Sequence, residues 1–532
     1  MGNRPRIVIL GGGFAGVYTA IYLEKLRKGH NDFDVCIVNR ENYFVFQPML
    51  PEIVSGTIGM LDTVSPIRRL APHTDLYVRE VESVDLVNQT VTLSHGVRPR
   101  PQILPYDHLV IGLGNVTDFR GMVGLHEHAL PFKNLVDAVN LRNHLIHVLE
   151  EADTESDPDL QRELLTFVVA GGGFSGVEVA AELNDFVRRV ARSYPQINPA
   201  HIRVQLLHSG ERILERELSP SLSLYAQKLL RKRGVEFRFK TRLAAASPEF
   251  AVTQNGERIA TRTLISTVPS SPHPLIETLD LAKVQGKLKT GRDLLVEGTT
   301  HIWAAGDCAY IPTADGTPAP PTAQHAIREA KVIAHNIVAE LRGGTRKTFD
   351  FKGLGKMGAL GHHSAVAEVF DRFQISGLPA WIMWRSVYWA KLPGFDRKLR
   401  VGLSWLLDLL IPPEMVQLKL GIPRGISQAH YEPGEAIFHQ GDMGDCLYII
   451  VRGEADVLLE HEGQEVVLAC LGAGEYFGEM ALLNQKTRNA TVRCKTPMDV
   501  LVLPKGDLGA LVSHFPALQQ SFDSVMAKRS SR

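Results

Sequence analysis

The sequence is poor in cysteine, balanced in charge and without a long apolar run, and each lack removes a class of protein. Its five cysteines (Cys36, Cys308, Cys446, Cys470 and Cys494) form no C-x-x-C pair and no metal-type spacing. No metal site is therefore expected, and a cysteine-pair redox centre is excluded as the leading chemistry. The sparse, odd count also fits a reducing compartment. Lys plus Arg equals Asp plus Glu at 58 each, so no global field invites nucleic acid, and no nucleic-acid partner is expected. The longest apolar stretches, Leu109 to Leu113, Leu164 to Val169 and Val401 to Pro413, fall short of the roughly 20 residues of a spanning helix, and Asp408 interrupts the last. No apolar signal stretch precedes Ile7-Val-Ile-Leu10, so a cytoplasmic location is expected.

What remains is 532 residues, 44% hydrophobic and 22% charged, an ordinary soluble composition and enough chain for three or four domains. Arg6-Ile-Val-Ile-Leu10 reads as a buried strand, followed by Gly11-Gly-Gly13-Phe14-Ala15-Gly16 and a helical pattern from Val17 to Leu26. A strand, G-x-G-x-x-G and a helix bring a pyrophosphate onto a helix N-terminus. Gly11 allows the tight turn, Gly13 lets backbone approach phosphate, and Gly16 lets the helix pack closely. The next strand, Asp34 to Val38, ends at Asn39-Arg40, where an acidic ribose ligand is usual. Asn39 can hydrogen-bond a hydroxyl without charge, or simply cap its own loop.

The unit recurs at Leu164–Val169, Gly171-Gly-Gly173-Phe174-Ser175-Gly176 and Val177–Leu183, with the strand Ile202–Leu207 after it. Two such units predict two dinucleotides, a resident flavin and a diffusing nicotinamide coenzyme. His208 follows the second strand, with Glu211 and Arg212 beyond. An acidic group here favours free ribose hydroxyls and repels a 2′-phosphate. Its absence at His208 leaves NADH and NADPH both open, and Glu211 is a candidate substitute acceptor.

A third element, Thr299 to Cys308, reads as a strand ending in Gly306-Asp307, followed by Pro320-Pro-Thr-Ala323-Gln324 and a helix through Ile337. Here the chain resembles the two-dinucleotide flavoproteins, and within them the type II NADH dehydrogenases, single-subunit NADH:quinone oxidoreductases. Asn42 to Leu50, His128 to Lys133, Gly173 to Glu182, Pro320 to Gln324 and Leu360 to Ala367 carry the likeness, which spans about Arg6 to Ile411. The resemblance implies FAD and a hydride transfer from the nicotinamide to the flavin, with NADH slightly favoured. It implies that Asp307 binds the ribityl chain, that Phe46, Gln47 and Pro48 line the flavin, and that Glu178 sits beside flavin and nicotinamide as a catalytic group. Ala323 and Gln324 fall at the flavin's pyrimidine and quinone edge. Arg328 stands where the family commonly has a second Gln, and could stabilise a reduced flavin or quinone oxyanion or signal another acceptor.

From Gly377 to Pro413 two apolar stripes recur at helical spacing: Trp381, Trp384, Tyr388 and Leu392, then Leu399, Leu403, Leu406, Leu407 and Leu410, the second beginning at Arg397, Lys398 and Arg400. Such faces suit an in-plane membrane helix, or a protein core. The family's C-terminal docking helices favour attachment to the cytoplasmic face of the inner membrane.

After His430 the texture becomes short strands and glycine turns, the pattern of a β jelly roll. Phe477-Gly478-Glu479-Met480-Ala481 through Arg488-Asn489 to Val492 resembles the phosphate-binding cassette of cyclic-nucleotide-binding domains. The resemblance implies that Glu479 takes the ribose 2′-hydroxyl and Arg488 the cyclic phosphate, with Gly478, Met480 and Ala481 in the cassette. Asn489 sits where some members choose between cAMP and cGMP.

The expected architecture is α/β. Residues 1–125 and 299–345 form an FAD domain, 126–298 an NAD(P)H domain, 346–415 an acceptor and docking segment, and 416–532 a nucleotide-binding jelly roll. The expected activity is NAD(P)H:quinone oxidoreduction tuned by cAMP or cGMP, in a homodimer. The alternatives are a soluble NADPH-linked reductase with another acceptor, and a redox-inactive nucleotide-sensing scaffold.

Overall fold

The computed structural model describes residues 4–97, 100–119, 122–268, 270–370, 372–418, 427–431, 433–442, 444, 446–461, 464–479 and 487–504. They fall into two compact units, one of residues 1–78 with 106–418 and one of 79–105 with 419–532. Met480 and Ala481 lie outside the described residues.

The first unit holds two parallel sheets. In one, the strands run in the order Ile302–Ala304, His108–Ile111, Arg6–Leu10, Asp34–Asn39, Asp75–Val78. Continuous apolar runs such as Ile7-Val-Ile-Leu10 fit strands covered on both faces, and these four side chains are fully buried. Strand order reverses beside Arg6–Leu10, because the chain builds the sheet outward on one side through Asp34–Asn39 and later returns to the other side at His108–Ile111. That switch point is where an open α/β sheet binds ligand. The second sheet runs Ala129–Pro131, Thr263–Ser266, Thr166–Ala170, Arg203–Leu207, Val235–Arg238, again all parallel. Its leading strand starts at Thr166 rather than Leu164, because Asp157 caps a short helix over Pro158–Leu164.

A three-stranded antiparallel sheet (Gly355–Ala359, Ala365–Val369, Phe373–Gly377) follows and leads into the helices Leu378–Lys391 and Phe395–Asp408. Arg233 fastens this sheet to the second parallel domain. Its guanidinium donates to Asp185 (3.2 Å), the carbonyls of Leu360 (2.8 Å) and His362 (2.7 Å), and Ser364 Oγ (3.0 Å). Asp185 in turn accepts from His362 N at 2.7 Å.

The two C-terminal stripes separate. Trp384 and Leu392 are buried, so the first stripe packs inward. Leu399, Leu403, Leu406, Leu407 and Leu410 are all exposed, from 42% to 79%, joined by Ile382, Trp389, Phe395 and Ile411. No described helix is long and apolar enough to cross a membrane.

The second unit contains a three-stranded antiparallel sheet over 81–105 and a sandwich of two four-stranded antiparallel sheets. The sandwich closes over Phe438, Tyr448, Ile450, Phe477, Val492 and Val500.

Arg233→Ala removes four hydrogen bonds from a half-buried cation and leaves Asp185 without its partner. A loss of about 2–4 kcal/mol of unfolding free energy is expected, read as a lower denaturant midpoint with an unchanged slope; a loss below about 0.5 kcal/mol would show that water replaces the clamp.

Candidate active site

At the end of Arg6–Leu10, the helix Phe14–Arg27 begins with no side-chain cap and no acid in its first turn. Its first N–H groups are therefore left for an anion. Gly16 is forced: a Cβ there would lie 1.8 Å from the Gly11 carbonyl. A Cβ on Gly11, at φ +101°, would strike Gly112 O at 2.4 Å, whereas one on Gly13 meets nothing within 4 Å. Gly13 thus opens the space that a pyrophosphate needs, and the loop fits a dinucleotide. Phe14 turns its ring away, edge-on to Phe44 (4.9 Å) and Phe46 (5.8 Å), while the Ala15 methyl approaches Gly112 and Gly306. Asn39 is occupied in the loop itself: its Oδ1 accepts from Gly12 N at 2.8 Å and its Nδ2 donates to the Glu41 carbonyl at 2.8 Å. Arg40 stands 4.0 Å from the Glu41 carboxylate.

Two expected cofactor residues, Gln47 and Asp307, are bridged by Lys133 from a distant segment. Gln47 reaches the Lys133 carbonyl (3.5 Å), and Lys133 Nζ lies 3.8 Å from Asp307. Burial raises the Asp307 carboxyl above the ordinary range, while Lys133 works against that shift. Gly306 N donates to Glu329 Oε2 at 2.8 Å, and burial lifts Glu329 to about 7. Glu329 went unnoticed in the sequence because only its helical spacing from Ala323, on the helix Ala323–Leu341, signals it. Gln324 is locked to backbone, donating to Gly355 O and accepting from Leu354 N, both at 3.1 Å. Arg328 lies over the Phe351 ring at 3.8 Å and donates to the Gln324 carbonyl at 2.8 Å. Its observed contacts thus secure the start of its helix.

The second loop repeats the first. A Cβ on Gly176 would lie 1.9 Å from Gly171 O, and Gly171 itself is at φ +126°. The helix Phe174–Val190 also starts without a side-chain cap. Gly173 borders Glu217, Ser175 is exposed in the first turn, and the Phe174 ring packs on Gly358. The His208 ring lies against Gly172 as Asn39 does against Gly12; burial lowers its pKa, so the ring is neutral. Glu211 instead pairs with Lys240 in solvent. The carboxylate that reaches this strand end is Glu215, which flanks Gly210 opposite His208 and accepts from Glu211 N at 3.2 Å.

Glu178 lies beyond the first turn of its helix, so dipole compensation does not explain it. Its Oε1 accepts from Ala359 N at 2.9 Å. Burial, and then the nearby Glu52, raise it to about 8 against the single amide bond that opposes them. Tyr388, from Leu378–Lys391, lies close enough to Glu178 for its own pKa to be pushed upward, chiefly by burial. The Tyr388 ring also contacts Phe46 (5.9 Å) and Trp384 (4.8 Å). Tyr388 was visible in the sequence only as part of an apolar stripe.

In the sandwich, Arg488 and Glu479 are both buried. Arg488 donates to the carbonyls of Gly478 (2.6 Å) and Cys446 (2.8 Å), with its guanidinium over Phe438 at 4.1 Å. Gly478 has φ +93°, and a Cβ there would strike Arg488 Nη1 at 2.5 Å. Asn489 is exposed.

Known proteins share both parts. The profile of the pyridine nucleotide-disulphide oxidoreductases matches residues 5–330, and that of the cyclic nucleotide-binding domain matches 428–515. The chain is 33% identical over 411 residues to demethylphylloquinone reductase NdbB of Synechocystis, covering 76% of this chain and 96% of that protein. It is 29% identical over 429 residues to the type II NADH:quinone oxidoreductase NdhA of Mycobacterium tuberculosis, covering 77% and 88%. The chain belongs to the type II NADH:quinone oxidoreductase family. It carries a cyclic nucleotide-binding domain at its C-terminal end. In fold, it superposes on NDH2 from Plasmodium falciparum in complex with NADH with a TM-score of 0.71, at 19% identity, covering 78% of this chain and all of that one.

As a type II oxidoreductase the chain is an FAD- and NAD(P)H-linked enzyme. Its two glycine loops leave uncapped helix N-termini, and Glu178 is a half-buried carboxyl on the second of these helices. Burial pushes the thiol of Cys308, adjacent to Asp307, up to about 11.

The raised Glu178 has a thermodynamic consequence. A carboxyl raised on folding binds its proton more tightly in the native chain, so stability falls as pH climbs from the ordinary carboxyl range to about 8 and then levels. Glu178→Gln keeps an acceptor for Ala359 N but cannot ionise. Thermal melts from pH 5 to 9 should show the variant gaining on the parent as pH rises; parallel curves would mean that Glu178 ionises in its ordinary range.

Proposed function

We propose that this enzyme oxidises NADH, with FAD as its resident cofactor, and passes the electrons to a quinone at a membrane surface. The observation that carries the reading is the bond from Ala359 N to Glu178, which joins the helix behind the second glycine loop to the sheet that leads into the first C-terminal helix. It joins the coenzyme side of the site to the segment whose outer face is apolar. The first glycine loop and Asp307 would hold FAD, which would supply hydride acceptance and two-electron release when bound.

The protein's own work is orientation and electrostatics. Helix N-termini at Gly13 and Gly173 hold the two pyrophosphates, and Asp307, with Lys133 beside it, takes the ribityl chain. Gln47 and Ala323 bound the ring, and Gln324 is pre-set by its two backbone bonds. Glu178 holds a proton at neutral pH and delivers it to the acceptor oxygen. Glu215 beside His208 supports NADH, since a carboxylate suits free ribose hydroxyls. The relatives' names include quinone reductases, which supports the acceptor. In the C-terminal domain Glu479 and Arg488 bind a cyclic nucleotide, cAMP or cGMP, and the enzyme works as a homodimer.

Anaerobic stopped-flow mixing tests the reaction. NADH should bleach the flavin faster than NADPH, a soluble quinone should reoxidise it, and cAMP or cGMP should change the second rate. Faster bleaching by NADPH together with no reoxidation by quinone would favour the soluble NADPH-linked alternative, which the uncharged His208 suggests.

The exposed row Leu399, Leu403, Leu406, Leu410, with Arg400 exposed beside it, is the proposed attachment to the cytoplasmic face of the inner membrane. Leu403→Glu with Leu410→Glu should reduce sedimentation with anionic vesicles about tenfold or more, since each buried leucine contributes roughly 1.5–3 kcal/mol; undiminished sedimentation would place attachment elsewhere.

A further inference from the structure

One helical turn beyond Glu178 lies Glu182, a buried carboxyl with 6% exposure, for which hydride transfer has no use. Residues four apart share a helix face, and this helix packs on Leu50–Ser55. There the Ser55 hydroxyl donates to the Glu52 carbonyl at 3.2 Å, lies 3.0 Å from the Thr57 hydroxyl and neighbours the Glu182 carboxyl. Both hydroxyls belong to buried residues. Thr57 lines a cavity of about 420 Å³, walled also by Arg142, Asn143, Ser404, Asp408 and Glu414. A hydroxyl accepts a proton on a lone pair while donating its own. Thr57 and Ser55 therefore link the cavity to the carboxyl.

The surrounding charges leave Glu182 its proton. Glu52 pairs with Arg385 (3.2 Å), Asp408 with Arg189 (3.2 Å) and Asp185 with Arg233 (3.2 Å). Each of these carboxylates has its own guanidinium, while among the described residues no cation pairs with Glu178 or Glu182. The groups facing Glu182 are Glu52 and Ser55 from Leu50–Ser55, Asp185 from its own helix, and Arg385 from Leu378–Lys391. Burial first, then Glu52, hold it well above the ordinary range.

We infer that Glu182 is a proton-relay residue, which refills Glu178 and is itself refilled from the cavity through Thr57 and Ser55. The inference rests on the quinone reading above. NADH yields two electrons and one proton, and a quinone takes two electrons and two protons to become the hydroquinone, so one proton per turnover comes from solvent. As Glu178 gives its proton to the quinone oxygen, the Glu182 O–H breaks and an O–H forms on Glu178. Ser55 then protonates Glu182, Thr57 protonates Ser55, and water in the cavity protonates Thr57.

Steady-state turnover with NADH separates the proton from the electrons, using menadione, which needs protons, and ferricyanide, which needs none. In Glu182→Gln the ratio of menadione to ferricyanide turnover should fall about tenfold or more, as for loss of an acid–base group, and the solvent isotope effect on menadione reduction should rise. Glu182→Asp should restore part of the ratio. Thr57→Val, which changes no carboxyl, should lower the ratio in the same direction and covers the case in which Glu182→Gln fails to fold. An unchanged ratio and isotope effect in both Glu182→Gln and Thr57→Val, or an equal loss with both acceptors, would overturn the relay. A parent enzyme that reduces ferricyanide but not menadione would instead overturn the quinone reading, and the relay with it.

Discussion

Two near-collisions of backbone set the geometry on which everything else depends. Gly16 is pressed against the carbonyl of Gly11, and Gly176 against that of Gly171, closer than any side chain would permit. That contact seats each helix squarely on the end of its central strand, so uncapped N–H groups point at the switch point of a parallel sheet. Removing the approach would tilt the helix and scatter the donors. The side chains wedged against the middle glycines, Asn39 and His208, then fix the shape of each loop from the next strand.

Around this frame the electrostatics are arranged by subtraction. Three carboxylates, the buried Glu52 and the part-buried Asp408 and Asp185, pair with Arg385, Arg189 and Arg233. Two more, the half-buried Glu178 and the buried Glu182, have no cation partner among the described residues, and desolvation raises both above the ordinary carboxyl range. Burying an ion without a partner costs more than holding its proton. The same arginines also carry the architecture: Arg233 ties sheet to domain, and Arg385 joins a C-terminal helix to Glu52 while lying over Trp381 and Trp405. Architecture and electrostatics are thus built from one set of contacts.

The C-terminal helices illustrate how periodicity divides between two uses. Both stripes have the same spacing, but one is covered and the other is not. Trp384 and Tyr388 turn toward Phe46 and Glu178 because the sheet Gly355–Gly377 delivers their helix against the site. The second helix has Val401 inward and its leucines outward. Beyond it, Asn143 holds the backbone of Leu418 at two points, 2.9 and 3.0 Å, so the chain leaving the helices lies along Leu135–Thr154.

The sequence by itself determined the local pieces: the two strand–glycine–helix units, the Gly306-Asp307 turn and the glycine-punctuated C-terminal strands. Each is dictated by short-range rules, in which backbone sterics demand glycine and burial on both faces demands an apolar run. Tertiary structure decided what those rules cannot reach. It placed Lys133 beside Asp307 and Glu329 on the Gly306 amide, and it brought Glu215 rather than Glu211 to the end of the strand Arg203–Leu207. It tied down Asn39, Gln324 and Arg328 through backbone partners. It also lifted Glu178 and Glu182 out of the ordinary carboxyl range, because a pKa depends on which segments exclude water and supply charge, and those segments are distant in the chain, as Ala359 is, 181 residues from Glu178.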